Sequence, residues 1–397
     1  MSSNSNLLLT QCSDELIAVY RDGLLNDTLP FWLRHGVDTI HGGIMTSLDR
    51  DGTLLDDDKL MWQQCRFIWL MGELYNNVQQ CPEWLDAALR VANFVEQHGF
   101  DQKDGRMWFH LDRGGKPIRK RRYAFSESFA AIAFGELALA TGDTRYAELA
   151  RKCFHRFVTH DPDRFGEPKF TCLRRTRSLA VPMITIATAQ QLRSSIQLED
   201  ADTVIDDAIA TIHQFHNKPE IGCVMETVGA DGAMIDHVDG RTLNPGHAIE
   251  GAWFIMYEGK IRDDERLVRM GCRMLDWMWR RGWDQGYGGL FYFVDVEEKP
   301  VQEYWHDMKF WWPQNEAIIA TLLAYQLTGD AKYAAWHDVA HRWAYDHFAD
   351  PEHGEWFGYL HRDGHRSSTL KGSHWKGPFH LPRMQLTCWK LLEGTCL

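Results

Sequence analysis

Apolar residues recur at i, i+3, i+4 and i+7 through three long stretches: PEWLDAALRVANFVEQHGF from Pro82, DERLVRMGCRMLDWMWRRGW from Asp264 and AKYAAWHDVAHRWAYDHF from Ala331. Each predicts a helix with one buried face. Between such stretches lie short segments in which glycine precedes aromatic or β-branched alternation. They are HGGIMTSLDRDG from His41, DGRMWFHLDRGG from Asp104, GEPKFTCL from Gly166, GCVMETVGADG from Gly222, GGLFYFVDVEE from Gly288 and GEWFGYLHRDG from Gly354. Their glycines Gly43, Gly105, Gly166, Gly222, Gly289 and Gly354 fall about 60 residues apart, which makes them a repeat. Each unit reads as a helix pair with a small hairpin.

Pro182, Pro245, Pro313 and Pro382 keep a similar period, and the first three open apolar helical runs, where a missing N–H costs nothing. Turns of the form Thr-Gly-Asp at Thr141 to Tyr146 and Thr328 to Tyr333 fit helix-to-helix connections of the same phase. Six helix pairs joined head to tail predict an all-α (α/α)6 barrel with short β-hairpins in its loops, an inner ring of helices lining a central cleft. One unit cannot bury both its faces, so residues 1–397 are expected to form a single domain.

Composition narrows the chemistry. The 397 residues carry 43 basic and 55 acidic side chains, a formal charge of −12, opposite in sign to a nucleic-acid coat. The apolar stretches are too short to cross a bilayer, and the first residues lack the basic and apolar regions of a secretory signal, so a cytoplasmic location is expected. Nine cysteines, an odd number without CxxC spacing, argue against a disulfide frame or a structural zinc site. No GxGxxG or GxxxxGK[ST] segment suggests a nucleotide site. The basic runs Ile118 to Arg122 and Arg174 to Arg177 read as solvated faces. Seventeen tryptophans, several beside charged residues, suit a sugar-binding cavity as well as a helical core.

Four segments carry candidate chemistry. In LNPGHAIEGAWF, Asn244 and Pro245 start a helix that places His247 in its first turn and Glu250 on the same face, within reach as a partner carboxylate; a metal ligand set is the weaker reading. MKFWWPQNEAIIA repeats the design with Trp312 and Glu316. KLMWQQCRFIWLMGEL puts Arg66 between Trp62 and Trp69 on one stripe, where a cation should face a cavity and can stabilise a developing oxyanion. KGSHWKGPFHLPR is a Gly/Pro-broken loop with His374 and His380. The proline phase brings His380 to the same end of the barrel as His247 and Glu316. Two imidazoles from opposite sides of a cleft, with an arginine and carboxylates, suit proton removal and return at a carbon next to a carbonyl. A glycoside hydrolase using Glu316 with Glu250 or with Glu127 of FSESF is a competing reading, and a sugar-binding module without turnover is another.

These residues resemble the N-acylglucosamine 2-epimerase family. The similarity rests on HGGIMTSLDRDG, KLMWQQCRFIW, YAFSESF, AVPM, METV, NPGHAIEGAWF, GGLFYFVD, MKFWWPQNEA, DPEHGEWFGYL and KGPFHLPR, which span His41 to Arg383. The resemblance implies an (α/α)6 barrel, usually a homodimer, that interconverts N-acetylglucosamine and N-acetylmannosamine. It makes His247 and His380 the acid/base pair, Arg66 and Glu316 essential, and Glu250 the partner of His247. Trp62, Glu127, Trp312 and Arg383 join Glu250 as expected sugar contacts. No cofactor is expected for the chemistry, and ATP enters as an allosteric activator of some members. Relatives that epimerise cellobiose or isomerise mannose give the alternative substrates. Departures from the family pattern are Gln314 and Asn315 after the WWP segment, and Cys65 before the arginine.

Overall fold

The structure, a computed structural model, describes residues 9, 13–121, 123–161 and 175–395. Gly166, Arg122 and Arg174 lie outside the described residues. Helices α1 (Ser13–Asp22) and α2 (Leu29–His35) are joined by a π-helical stretch, Gly23–Thr28. There follow α3 (Met61–Asn77), α4 (Pro82–His98), α5 (Phe125–Thr141), α6 (Thr144–Val158), α7 (Ala180–Ile196), α8 (Ala201–Thr211), α9 (Pro245–Arg262), α10 (Glu265–Gly282), α11 (Trp311–Thr328), α12 (Ala331–Phe348) and α13 (His380–Leu392).

Two kinds of helix alternate. In α10, Met270, Met274, Leu275 and Met278 are buried while Arg266, Arg269 and Arg273 face solvent, the one-sided pattern of an outer helix. In α9 and α11 nearly every residue is buried, because one side meets the outer ring and the other meets neighbours or the cavity. Helices α3, α5, α7, α9, α11 and α13 form the inner ring, and those that follow one another around it, from α3 to α13, pack in chain order. The architecture is the expected (α/α)6 barrel. Close crossings need small residues: a Cβ on Gly271 of α10 would stand 2.4 Å from Met256 of α9.

The proline phase marks four of the six inner helices, with one adjustment. Pro245 is the first residue of α9, whereas Pro182, Pro313 and Pro382 are the third residues of α7, α11 and α13. All four occupy the first turn, where no intrahelical N–H bond is lost.

Short antiparallel pairs lace the units together at the rim where the inner helices begin. Lys59–Leu60, just before α3, pairs with His110–Leu111; Thr242–Leu243, before α9, pairs with Val294–Asp295; Lys309–Phe310, before α11, pairs with Tyr359–Leu360. The turn glycines Gly43, Gly105, Gly222, Gly289 and Gly354 all have positive φ, between 56° and 77°, which a side chain would resist.

A buried lysine braces three of these loops. Lys59 Nζ lies 2.9 Å from Asp38, Lys309 Nζ 3.1 Å from Asp284 and Lys371 Nζ 2.9 Å from Asp350, and each lysine also donates to backbone carbonyls of the same turn. A half-exposed arginine completes each group: Arg113 on Asp38, Arg362 on Asp284 and Arg50 on Asp350. Burial pushes Lys309 and Lys371 down to about 8 against the pull of their aspartates. The ring closes where Leu48 and Lys371 to Gly372 exchange backbone bonds and Arg50 reaches Asp350.

Between α1 and α12, Tyr20 Oη lies 3.1 Å from His337 Nε2 and 2.8 Å from His341 Nδ1, all out of water. His337 Nδ1 donates to the Ile318 carbonyl at 3.0 Å, so its Nε2 accepts the tyrosine proton and both rings are neutral. Burial lowers His337 to about 4 and His341 to about 3, the latter with help from His337.

Two outcomes follow for stability. Both histidines bind protons more readily unfolded than folded, so the stability they contribute is complete above their unfolded pKa of about 6.5 and drains away as pH falls toward 4. Thermal melts between pH 7 and pH 5 should show a drop that shrinks in a His337→Asn, His341→Gln variant; equal drops would refute it. Lys309→Met should cost about 3 kcal/mol in denaturant unfolding, since it strips a partner from buried Asp284.

Candidate active site

A cavity of about 1140 Å³ runs along the barrel, touched by Trp62 in the first turn of α3 and by Asn77 at its end. Its upper part, at the laced rim, holds most of the residues that the sequence singles out.

His247 is the third residue of α9. Asn244 caps the helix by accepting from the His247 N–H at 3.1 Å, which fixes the backbone below the imidazole. The partner of the imidazole is Glu226, not the expected Glu250. Nδ1 of His247 lies 3.1 Å from both carboxylate oxygens of Glu226, in the loop between Cys223–Val224 and Thr227–Gly229. Glu250 sits one turn further into the barrel, where it accepts from Arg383 Nη2 at 2.5 Å. The buried cation of α13 claims that carboxylate.

His380 is the first residue of α13, so the Gly/Pro-broken loop ends just before it. Its Nδ1 lies 2.8 Å from Glu316 Oε1, and the other oxygen of Glu316 accepts from Trp253 Nε1 at 2.8 Å. Arg383 Nη2 also donates to Glu316 at 2.5 Å and stands 3.3 Å from the same imidazole nitrogen. The fully buried Glu316 is thus held from three sides. Trp312 packs near both histidines, its ring 5.2 Å from His247 and 5.6 Å from His380. With both Nδ1 atoms occupied by carboxylates, Nε2 of each ring is the nitrogen left for a substrate.

Arg66 is sandwiched by rings: its guanidinium carbon is 4.1 Å from the centre of Phe129, 4.7 Å from Phe379 and 5.0 Å from Trp62. It forms no ion pair among the described residues, and its buried Nε has no partner. Burial, then the neighbouring Arg383, pushes it down to about 9, which still leaves a cation at neutral pH. A preorganised, unpaired cation in an apolar wall suits an oxygen that gains negative charge.

The two histidines differ electrostatically. Burial pulls His247 down, but Glu226 outweighs it by charge and hydrogen bond, with help from Glu250 and Glu316, and the net shift is upward. His380 falls well below its ordinary value, through burial first and then Arg383, with Glu250 opposing and Arg66 and His247 adding to the depression. Neighbouring groups of opposite tendency are what a paired acid and base require.

Glu127, expected at the sugar, is elsewhere. It is buried in the wall, bonded to Arg106 Nε at 2.5 Å and to the Met107 N–H at 3.0 Å, and it is absent from the cavity lining. A carboxylate without water needs a cation, and Arg106 supplies it. Trp62, Glu250, Trp312 and Arg383 do line the cavity, and Glu316 stands behind His380. His374 is peripheral, 3.7 Å from Asp56. In the first basic run, Lys120 pairs with Asp101 and Asp104, while Arg119 and Arg121 stack on Phe109.

Glu250, Glu316 and His380 bring possible ligand atoms within 4.8 Å of one another, but Arg383 Nη2 is bonded to both carboxylates and occupies the place of a cation. The same two bonds remove Glu250 and Glu316 as a free carboxyl pair for glycoside hydrolysis. Glu226, Tyr292, Trp305 and Trp375 were not singled out from the sequence as site residues. The first of them lies in METV, one of the stretches that carry the family resemblance.

The chain is similar to known proteins along most of its length. Residues 42–380 match the family model described as N-acylglucosamine 2-epimerase (GlcNAc 2-epimerase). The N-acylglucosamine 2-epimerase of Bos taurus is 36% identical over 93% of this chain and 90% of its own length, and that of Homo sapiens 33% identical over 93% and 88%. The fold matches the solved cellobiose 2-epimerase of Bacillus thermoamylovorans with a TM-score of 0.83 at 19% identity, covering 96% of this chain and 100% of the other. The chain therefore belongs to the N-acylglucosamine 2-epimerase family.

Proposed function

We propose that this chain is a sugar epimerase that interconverts N-acetyl-D-glucosamine and N-acetyl-D-mannosamine by moving the proton at C2. The observation that carries the reading is the pair of carboxylate-held imidazoles that both neighbour Trp312, with Arg66 in the same cavity and in no ion pair among the described residues. The open-chain aldehyde binds with its carbonyl oxygen toward Arg66. One histidine takes the C2 proton, the electron pair moves into the C1 oxygen, and the other histidine returns a proton to the opposite face. No electron leaves the sugar, so no redox cofactor enters. Trp62 and Trp312 offer ring faces to the sugar, and Glu250 with Arg383 holds the floor beneath it.

The reading extends to one catalytic domain, a homodimer and a cytoplasmic location; no helix among the described residues is long and apolar enough to cross a membrane. Activation by ATP, without consumption, belongs to the same reading. Unmodified hexoses and cellobiose are the alternative substrates, and product analysis by NMR with mannose separates them, since an isomerase would release fructose.

His247→Ala and His380→Ala should each lower turnover by about 10² to 10⁴ with unchanged circular dichroism. A time course with N-acetylmannosamine in D₂O should place deuterium at C2 of the product. Parental turnover in either variant contradicts the mechanism.

A further inference from the structure

We infer that Glu226 is a positioning residue: it holds the proton on Nδ1 of His247, turns Nε2 toward the sugar, and so makes His247 the acid and His380 the base of the resting enzyme. The inference rests on the two-histidine reading above and goes beyond it, since that reading leaves the roles of the rings interchangeable.

The geometry around the two rings is unequal. Nδ1 of His247 faces one carboxylate squarely, with both oxygens of Glu226 at 3.1 Å, and it has no cationic partner among the described residues. The other charged groups acting on His247 are Glu250 of its own helix and Glu316 of α11, both acidic, and its charge is felt by His380. Trp312 covers one ring face, and Tyr292, close enough to Glu226 to feel its charge, contributes a neutral phenol. His380 also meets a carboxylate, Glu316, but that carboxylate is shared with Arg383, which sits 3.3 Å from His380 Nδ1, and Arg66 acts on the same ring. A proton placed on either imidazole is favoured at His247, whose partner Glu226 pairs with no arginine or lysine among the described residues, and opposed at His380, where two guanidiniums are near. The upward displacement of His247 and the downward one of His380 agree with this contact pattern.

The proton balance has a consequence. When the resting enzyme acts, the C2 proton passes to Nε2 of His380 and the Nε2 proton of His247 passes to the opposite face of C2. The sugar leaves neutral, and the enzyme is left with its proton on the less favourable ring. Return to the starting form moves a proton from His380 to His247 through water. His247 is the more accessible of the two, with 30% of its side chain exposed against 12% for His380. Glu226 acts through His247 and never on the sugar, so its removal should alter the titration of that ring more than the binding of substrate.

The test compares the parent with Glu226→Gln and Glu226→Asp. In the pH profile of kcat/KM, the alkaline limb reports the pH at which His247 loses its proton. Glu226→Gln should move that limb down by about one pH unit and lower kcat by about 10- to 100-fold, with KM nearly unchanged. Glu226→Asp should restore the limb to near its parental position. Ring-nitrogen NMR of the free protein reads the same event without substrate: His247 should titrate above His380 in the parent, and its midpoint should fall in Glu226→Gln. An unmoved limb and an unmoved midpoint overturn the proposal, as does lost activity without a shift, which marks a merely structural residue. Parental turnover by His247→Ala would sink the two-histidine reading instead, and the ring titration would still decide the role of Glu226.

Discussion

The centre of this barrel is one guanidinium nitrogen. Arg383 Nη2 lies 2.5 Å from a carboxylate oxygen of Glu250 and 2.5 Å from one of Glu316, so a single donor joins α13 to α9 and α11. Charges in such surroundings are tolerable only as a matched set, because each alone would carry a desolvation cost of several kcal/mol. The set decides much of what surrounds it. It withdraws Glu250 from His247, steadies Glu316 under His380 and biases His380 against a second positive charge.

Around that centre the inner helices deliver their candidate side chains from the first two turns. His247, Trp312, Trp62 and His380 all sit within the opening residues of α9, α11, α3 and α13, and Arg66 and Glu316 each follow in the sixth position of their helices. The resemblance between the units is visible here: Trp62 and Arg66 occupy in α3 the places that Trp312 and Glu316 occupy in α11, and Gln64 and Gln314 each grip the preceding hairpin through both N–H and C=O of one residue. One structural plan carries a cation in one unit and an anion in another.

Much of this was legible in the chain. Glycines at a constant interval marked the hairpins, and their positive φ explains why that residue persists at the turns. Prolines marked four of the six inner helices to within two residues, since any first-turn position tolerates them. Arg66 and Glu316 were recognisable as charged residues at helical spacing from tryptophan, His247 as a first-turn histidine after Asn244 and Pro245, and His380 through the proline phase. Pairings were harder to read. Glu250 looked like the partner of His247 because sequence spacing displays only neighbours on one helix, whereas Glu226 arrives from a loop and Arg383 from the far end of the chain. Glu127 looked like a cavity carboxylate because nothing local reveals that Arg106 waits on the other side of its helix.

The closing seam has a further consequence for how such a molecule assembles. Tyr20 meets His341, Trp32 meets Glu355, and Arg50 meets Asp350 across 321, 323 and 300 residues of sequence. Contacts of that separation raise the contact order and form late, because loop-closure entropy opposes them until the intervening chain is already in place. Until then the walls destined to face sugar, rich in tryptophan and phenylalanine, lie open along an unfinished arc. A nascent chain is therefore most vulnerable to self-association just before its last unit is made, and the seam that completes the ring also hides its stickiest surface.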